Sequence, residues 1–569
     1  MSLAEAVQKQ WLQLYPEEIP HHLKYDEKPL FKYLQEAAQE NPNKIAIHFM
    51  GKELNYKEVY DSALKLANEL VKLGLQKGDR VAIMLPNTPQ SVISYYGVLL
   101  AGGTVVQTNP LYTERELEHQ LKDAGVKIII CVELVYARVM AVKDRTPLEH
   151  VIVTSIKDYL PFPKNLFYPL VRKRDYPNLK LDIQYNDKTH RFMDLIKRGE
   201  AKEIPLDIDP KKDIALLQYT GGTTGLAKGV ILTHFNLTAN TQQCRAWTYK
   251  VEDGNERILA ILPFFHVYGM TVVMNLGIMT KSTLIILPKF DPLTTLKTIE
   301  KQKPTLFPGA PTMYIGLINH PDIHKYDLSS IEACISGSAP LPVEVQQKFE
   351  EITKGKLVEG YGLTEASPVT HCNFIWGERV TGSIGVPWPD TEAKIIKEDG
   401  TEAEVREIGE LVIRGPQVMQ GYWNRPEETA ETLKDGWLHT GDMAYMDEKG
   451  YFYIVDRKKD MIIAGGYNIY PREVEEVLYE HEAIKEAVVV GVPHEYRGET
   501  VKAYIVLKEG KQVTEKELDE YCRKHLAAYK VPRLYEFRDE LPKTMVGKVL
   551  RRALREEEIE KLKAKKDDK

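Results

Sequence analysis

The chain has few cysteines, and none of them are paired at metal-ligand spacing. Cys131, Cys244, Cys334, Cys372 and Cys522 are five in number and scattered over 569 residues. An odd, dispersed set excludes a disulfide scaffold and a zinc site, and implies the reduced thiols of a cytoplasmic protein. Basic charge is not in excess either. Lys and Arg number 76 against 82 Asp and Glu, for a net charge of −6, so nucleic acid is not an expected partner. The opening residues MSLAEAVQKQWLQLYPEE lack the basic-then-apolar order of a signal peptide. Repeats of solenoid length are absent. One uncharged run, residues 259–279, is long enough to cross a bilayer, but Pro263, His266, Gly269 and Asn275 interrupt it. Polar groups in lipid are costly. The run therefore reads as a buried core segment beside a cavity.

What is present is an ordinary globular composition, 43% hydrophobic and 28% charged, in a chain too long for one core. LNYKEVYDSALKLANELVKLG (54–74) has helical spacing, RVAIMLP (80–86) is a buried strand, SVISYYGVLLAGG (91–103) a helix, and VKIIICV (126–132) another strand. Such alternation predicts an α/β fold with βαβ-type lobes. Residues 158–174, DYLPFPKNLFYPLVRKR, combine three prolines, four aromatics and a basic end. They read as a solvated loop between lobes, with contact to an anionic membrane surface as the alternative. Composition changes at DRKKD (456–460), after which a glycine-containing loop leads into a small α+β unit. The expected domains are residues 1–456 and a mobile residues 457–569, with a hinge at 457–460.

Several segments carry candidate chemistry. YTGGTTGLAKGV (219–230) can wrap phosphate oxygens with backbone N–H groups, hydroxyls and one ammonium. It is not a P-loop, since Ala227 replaces the glycine before the lysine and Gly229 replaces Ser or Thr. PFFHVYGM (263–270) sets His266 among apolar residues, where a satisfied core histidine is the plain reading. SGSAPLP (336–342) lets backbone approach a flat ligand. In EGYGLTEASP (359–368), Tyr361 suits base stacking, Thr364 a phosphate and Glu365 a magnesium ion. GWLHTGD (436–442) presents Asp442 after a tight turn, suited to a ribose diol. Arg457 in DRKKD has a planar fork for phosphate or ribose oxygens. LPKTMVGKVLRR (541–552) places Lys548 at the start of a basic helix; a wet helical face is the plain alternative.

Taken together and in this order, these motifs resemble the acyl-adenylate-forming superfamily over essentially the whole chain. With QTNPLYTERELEHQL (107–121) and DRKKDMIIAGGYNIYP, they are most similar to the bacterial long-chain fatty acid–CoA ligases. The resemblance implies a large N-terminal domain of sandwiched lobes and a small mobile C-terminal one. It also implies roles. Thr220, Gly221, Gly222, Thr223, Thr224, Gly225 and Lys228 would hold pyrophosphate, and His266 would border the acyl pocket. Gly337, Ser338, Ala339, Glu359, Gly360 and Tyr361 would line the adenine site. Thr364 would touch the α-phosphate, Glu365 the Mg²⁺, and Asp442 with Arg457 the ribose. Lys459 would be the hinge residue and Lys548 the lysine needed for adenylation. Gly465, Gly466 and Tyr467 would border the thioester-forming face.

Two positions depart from the broad superfamily pattern: Gly221 for Ser and Ala227 for Pro. Both occur in long-chain bacterial members and leave Thr220, Thr223 and Thr224 to supply hydroxyls. The implied substrates are ATP, a long-chain fatty acid and CoA, with Mg²⁺ as cofactor. The reduced cysteines imply a cytoplasmic location, residues 158–174 leave peripheral contact at the inner face of the membrane as the alternative, and a homodimer rests on the resemblance alone. A ligase for medium-chain or aromatic acids is the near rival. A non-catalytic acyl or nucleotide sensor is the distant one, which the joint presence of Lys228, Glu365, Asp442, Arg457 and Lys548 opposes.

Overall fold

The computed structural model describes residues 10–179, 181–220, 227–464, 467–494, 498–544 and 549–567, with side chains for all but 467, 468, 498 and 563–567. The βαβ alternation forms where the sequence signals are strongest. The Asn55 side chain accepts from the Glu58 N–H and Glu58 returns a bond to the Asn55 N–H, each at 2.8 Å. This capping box starts the helix Tyr56–Lys72. Strand Arg80–Met84, helix Pro89–Leu100 and strand Thr104–Gln107 follow, then helix Glu114–Ala124 and strand Ile128–Val132.

These strands join an eight-stranded sheet. Six run parallel, in the order Ile214–Thr220, Thr104–Gln107, Arg80–Met84, Ile128–Val132, His150–Thr154 and Thr189–Arg191. Lys228–Thr233 and Gly421–Tyr422 extend one edge antiparallel. Burial on both faces explains the nearly unbroken apolar runs. A second layer carries Arg257–Ala260, Thr283–Ile286 and Ile45–Phe49, bridged through Leu306 to the parallel pair Ala333–Ser336 and Lys356–Gly362. A third sheet pairs Gly409–Arg414, Trp437–Met446 and Phe452–Arg457.

One continuous apolar core runs from Trp11 to Phe452. Beyond it, the sheet built on Ile484–His494 and Gly498–Leu507 has its own. Val489, Val501 and Ile505 face helices Pro471–Tyr479 and Glu515–His525, while Val488, Val490 and Tyr504 pack with Leu554 of helix Arg551–Asp567. Strand alternation thus divides this small sheet between two helical layers. The architecture is a large N-terminal α/β domain with a small α+β C-terminal one.

Three expectations change or sharpen. Residues 259–279 are buried throughout apart from His266 and Met279, which are half-buried, and include a π-helix, Gly269–Asn275. Among the described residues no helix is long and apolar enough to cross a membrane. Residues 158–174 are not a loop: Lys164–Asp175 is a helix, and Pro169 lies inside it. Asp442 does not follow a tight turn. It lies inside the ten-residue strand Trp437–Met446, where Gly441 takes a φ of +71° without ending the pairing.

Candidate active site

Strand pairing delivers most of the polar side chains. Ser336 lies opposite Glu359 in the parallel pair, so Gly337, Ser338 and Ala339 leave their strand beside Gly360 and Tyr361. Packing is close here: a Cβ on Gly337 would sit 3.0 Å from the Tyr268 ring, and one on Gly360 3.0 Å from the Ile335 side chain, so either neighbour would have to shift by a few tenths of an ångström. In the third sheet the register sets Asp442 opposite Arg457. The Tyr361 hydroxyl donates to Asp442 Oδ2, and Arg457 Nε lies 3.4 Å from Oδ1. Tyr361, Asp442 and Arg457, far apart in sequence, form one cluster. Burial, reinforced by the Asp442 carboxylate, pushes the Tyr361 hydroxyl well above its ordinary range, so it remains a donor. Behind it His371 is fully buried, and burial pushes its imidazole down to about 3, which keeps it neutral.

A second group forms at the sheet edge. Glu365 lies in the single turn Thr364–Ala366 and accepts from the Tyr422 hydroxyl through Oε1 at 2.8 Å. The Lys228 ammonium lies 5.2 Å from the centre of the Tyr422 ring and 4.0 Å from Glu428 Oε1, and Lys228 pairs with Thr220 across the ladder. Tyr422 therefore joins the end of the glycine- and threonine-rich segment to Glu365. Sequence reasoning missed Tyr422; its only signal is the aromatic pair in QGYWNRPEET (420–429), just before the proline that opens helix Pro426–Thr432. Among the described residues Glu365 Oε2 takes no hydrogen bond. A hard carboxylate oxygen held this way suits Mg²⁺.

His266 sits on a segment tied to both neighbours. Gln218 Nε2 donates to the Phe265 carbonyl at 3.0 Å, and Thr271 Oγ1 donates to the Ser367 carbonyl at 2.7 Å. Its own Nδ1 accepts from the Tyr268 N–H at 3.3 Å. Lys459 follows strand Phe452–Arg457, where burial and the Arg457 guanidinium push its ammonium below the usual range. Gly221, Gly222, Thr223, Thr224, Gly225, Gly465, Gly466 and Lys548 lie outside the described residues. Tyr467 begins the strand Tyr467–Ile469.

The two domains meet at charged groups. Asp456 accepts from the N–H groups of Arg457 at 2.7 Å and Arg472 at 2.8 Å, and burial lifts its carboxyl to about 6 despite Arg551 nearby. Arg472, in the first turn of helix Pro471–Tyr479, brings Nη2 to 3.9 Å from Glu359 Oε1 and donates from Nη1 to the Ile454 carbonyl at 2.9 Å. The small domain is thus attached to the strand that carries Tyr361.

The large α/β domain with its small α+β companion is an architecture found among solved structures. The chain superposes on ATP-bound MatB from Rhodopseudomonas palustris with a TM-score of 0.81 at 30% identity, covering 93% of this chain and 98% of that one. On the anthranilate CoA ligase AuaEII in complex with anthranoyl-AMP the TM-score is 0.84 at 27% identity, covering 95% and 98%. The AMP-binding enzyme family matches residues 34–423 and its C-terminal domain residues 473–548, and the chain belongs to this family. It is 60% identical over 555 residues to a long-chain-fatty-acid–CoA ligase of Bacillus subtilis (strain 168), 97% of this chain and 99% of that one. To the enzyme of that name in Escherichia coli O157:H7 it is 39% identical, covering 97% and 98%.

Glu359 gives this interior a pH signature. Burial raises its carboxyl to about 7 against the opposing pull of Arg472. A folded-state pKa above the ordinary 4.5 means the native state binds more protons between those values. Its contribution to stability is full below the lower one and lost as pH rises through the upper. Glu359→Gln should shrink the fall in apparent Tm between acidic and mildly alkaline buffer, by the equivalent of about 1–3 kcal/mol. Calorimetry across that range checks it; an unchanged fall would contradict the buried placement.

Proposed function

We infer that the protein is a long-chain fatty acid–CoA ligase, converting ATP, a fatty acid and CoA into acyl-CoA, AMP and pyrophosphate through an acyl-AMP. The observation that carries this reading is the 60% identity with a ligase of that name across 97% of the chain. The cluster of Tyr361, Asp442 and Arg457 supports it from the side of the chemistry.

A carboxylate oxide is a poor leaving group. In the first step a carboxylate oxygen attacks the α-phosphorus, the bond to the β-phosphate bridging oxygen breaks, and pyrophosphate leaves. Thr220, Lys228 and residues 221–225 hold the departing phosphates, and Thr364 orients the α-phosphate. Tyr361 stacks on the adenine beside Gly337, Ser338, Ala339, Glu359 and Gly360. Asp442 and Arg457 take the ribose. Glu365 would hold Mg²⁺, which when bound would supply charge neutralisation on the phosphoryl oxygens. Lys548 stabilises the charge that accumulates there in the transition state. In the second step the CoA sulfur attacks the acyl carbonyl beside His266, AMP departs with the bonding electron pair, and the thiol proton passes to solvent. Lys548 has no part in that step. Residues 457–569 therefore turn about Lys459 and bring residues 465–467 to the cleft. Contact with a membrane surface, where long-chain acids partition, belongs to the same reading.

The functional test is the rate of CoA-dependent AMP release against acids of increasing chain length, with an aromatic acid as control. A maximum among long chains is expected; preference for the aromatic acid would overturn the substrate class. Lys548→Ala should slow acyl-AMP formation by about 10²- to 10³-fold while leaving thioester formation from supplied acyl-AMP intact. Equal loss in both half-reactions would refute its assigned role.

A further inference from the structure

The helix Lys164–Asp175 is amphipathic in the wrong sense for a globular surface. Asn165, Tyr168, Pro169 and Arg172, at helical spacing, face the protein and are half-buried. Arg172 pins the helix through Glu133, Nη1 to Oε1 at 2.7 Å, and the Lys164 ammonium bonds the Met50 carbonyl at 2.8 Å. The outward stripe is the apolar one: Leu166 is 65% exposed, Phe167 58%, Leu170 66% and Val171 42%, with Phe162 just upstream at 77%. No residue of the helix is buried. A helix packed on a core for stability places its apolar stripe inward; this one is held by polar and aromatic contacts and presents its apolar stripe to the outside.

The charge around the stripe says what covers it. The helix carries Lys164, Arg172, Lys173 and Arg174 against one acid, Asp175, which pairs with Arg174 at 2.9 Å, in a chain whose net charge is −6. Cations thus flank the apolar face at both ends, Lys173 and Arg174 being exposed. Large apolar side chains bordered by basic residues match the boundary of an anionic bilayer, where side chains enter the acyl region and cations meet lipid phosphates. We propose that the helix Lys164–Asp175, with Phe162, docks the protein on an anionic lipid surface. Twelve residues lying flat make an anchor about 18 Å long, enough for reversible contact and not for insertion. This deepens the ligase reading, since a surface-bound enzyme meets its apolar substrate where that substrate is concentrated, but lipid binding itself does not depend on it.

The test is co-sedimentation of the full-length protein, without nucleotide or acid, with vesicles of phosphatidylglycerol and phosphatidylcholine in equal parts and with pure phosphatidylcholine vesicles. Binding to the anionic vesicles should exceed binding to the neutral ones and weaken with salt. The triple variant Leu166→Glu, Phe167→Glu, Leu170→Glu should lose at least ~10-fold in anionic-vesicle affinity. The double variant Lys173→Glu, Arg174→Glu, which leaves the apolar stripe intact, should lose several-fold. All five side chains are exposed, so both variants should keep the wild-type Tm. Wild-type protein that ignores anionic vesicles, or variants that bind as wild type does, would overturn the proposal. So would sedimentation velocity showing a wild-type dimer that the triple variant splits, which would assign the face to a second copy of the chain. Failed vesicle binding with normal CoA-dependent AMP release would sink this inference alone; the converse would sink the ligase reading alone.

Discussion

The ladder between Trp437–Met446 and Phe452–Arg457 is the constraint on which the rest depends. Its register sets Asp442 against Arg457, then shifts at Met443–Ala444 so that Ala444 meets Ile454. Side chains alternate along a strand, so a slip of one residue would turn Asp442 away from Tyr361. The bulge lets the inner part of the ladder keep its buried residues, Ala444 and Phe452, while the outer part presents a carboxylate and a guanidinium. The main apolar core ends on the same strand, at Phe452. Asp456, one residue before Arg457, holds the N–H of Arg472 in the small domain. The cluster of Tyr361, Asp442 and Arg457 and the domain junction are therefore neighbouring rungs of one ladder.

The domain rotation proposed above would act through that adjacency. Arg472 reaches toward Glu359 on the strand of Tyr361. Arg551, in the first turn of the last helix, reaches toward Asp456 and Asp460 and donates to Glu475 at 2.6 Å. These partly buried charges are held in place by multiple partners, and breaking one partner leaves another uncompensated. A rotation about residues 457–460 would have to re-pair them. Charged junctions of this kind favour a few discrete orientations over a continuum.

Much of the fold was legible where local signals agreed. The helical spacing over 54–74 and the apolar runs at 80–86 and 126–132 correspond to a helix and two buried strands. The site was legible as motifs but not as geometry. Nothing local joins Tyr422 to Glu365, 57 residues away, because their contact is made by an edge strand that only the sheet creates. Gly441 looked like the end of a turn, yet its N–H is taken by the Glu410 carboxylate at 3.0 Å, so the strand continues through it. The helix Lys164–Asp175 was hidden by Pro163 and Pro169 and by an apolar pattern that has no core to face.

If Asp442, oriented by Tyr361 and Arg457, grips the ribose of a bound nucleotide, the hydroxyls it holds must matter only while it is there. Titration calorimetry with ATP and 2′-deoxy-ATP, on the wild-type protein and on Asp442→Ala, measures that coupling directly. Loss of the hydroxyl should weaken binding by roughly tenfold in the wild type and hardly at all in the variant. An equal loss in both proteins would contradict the account.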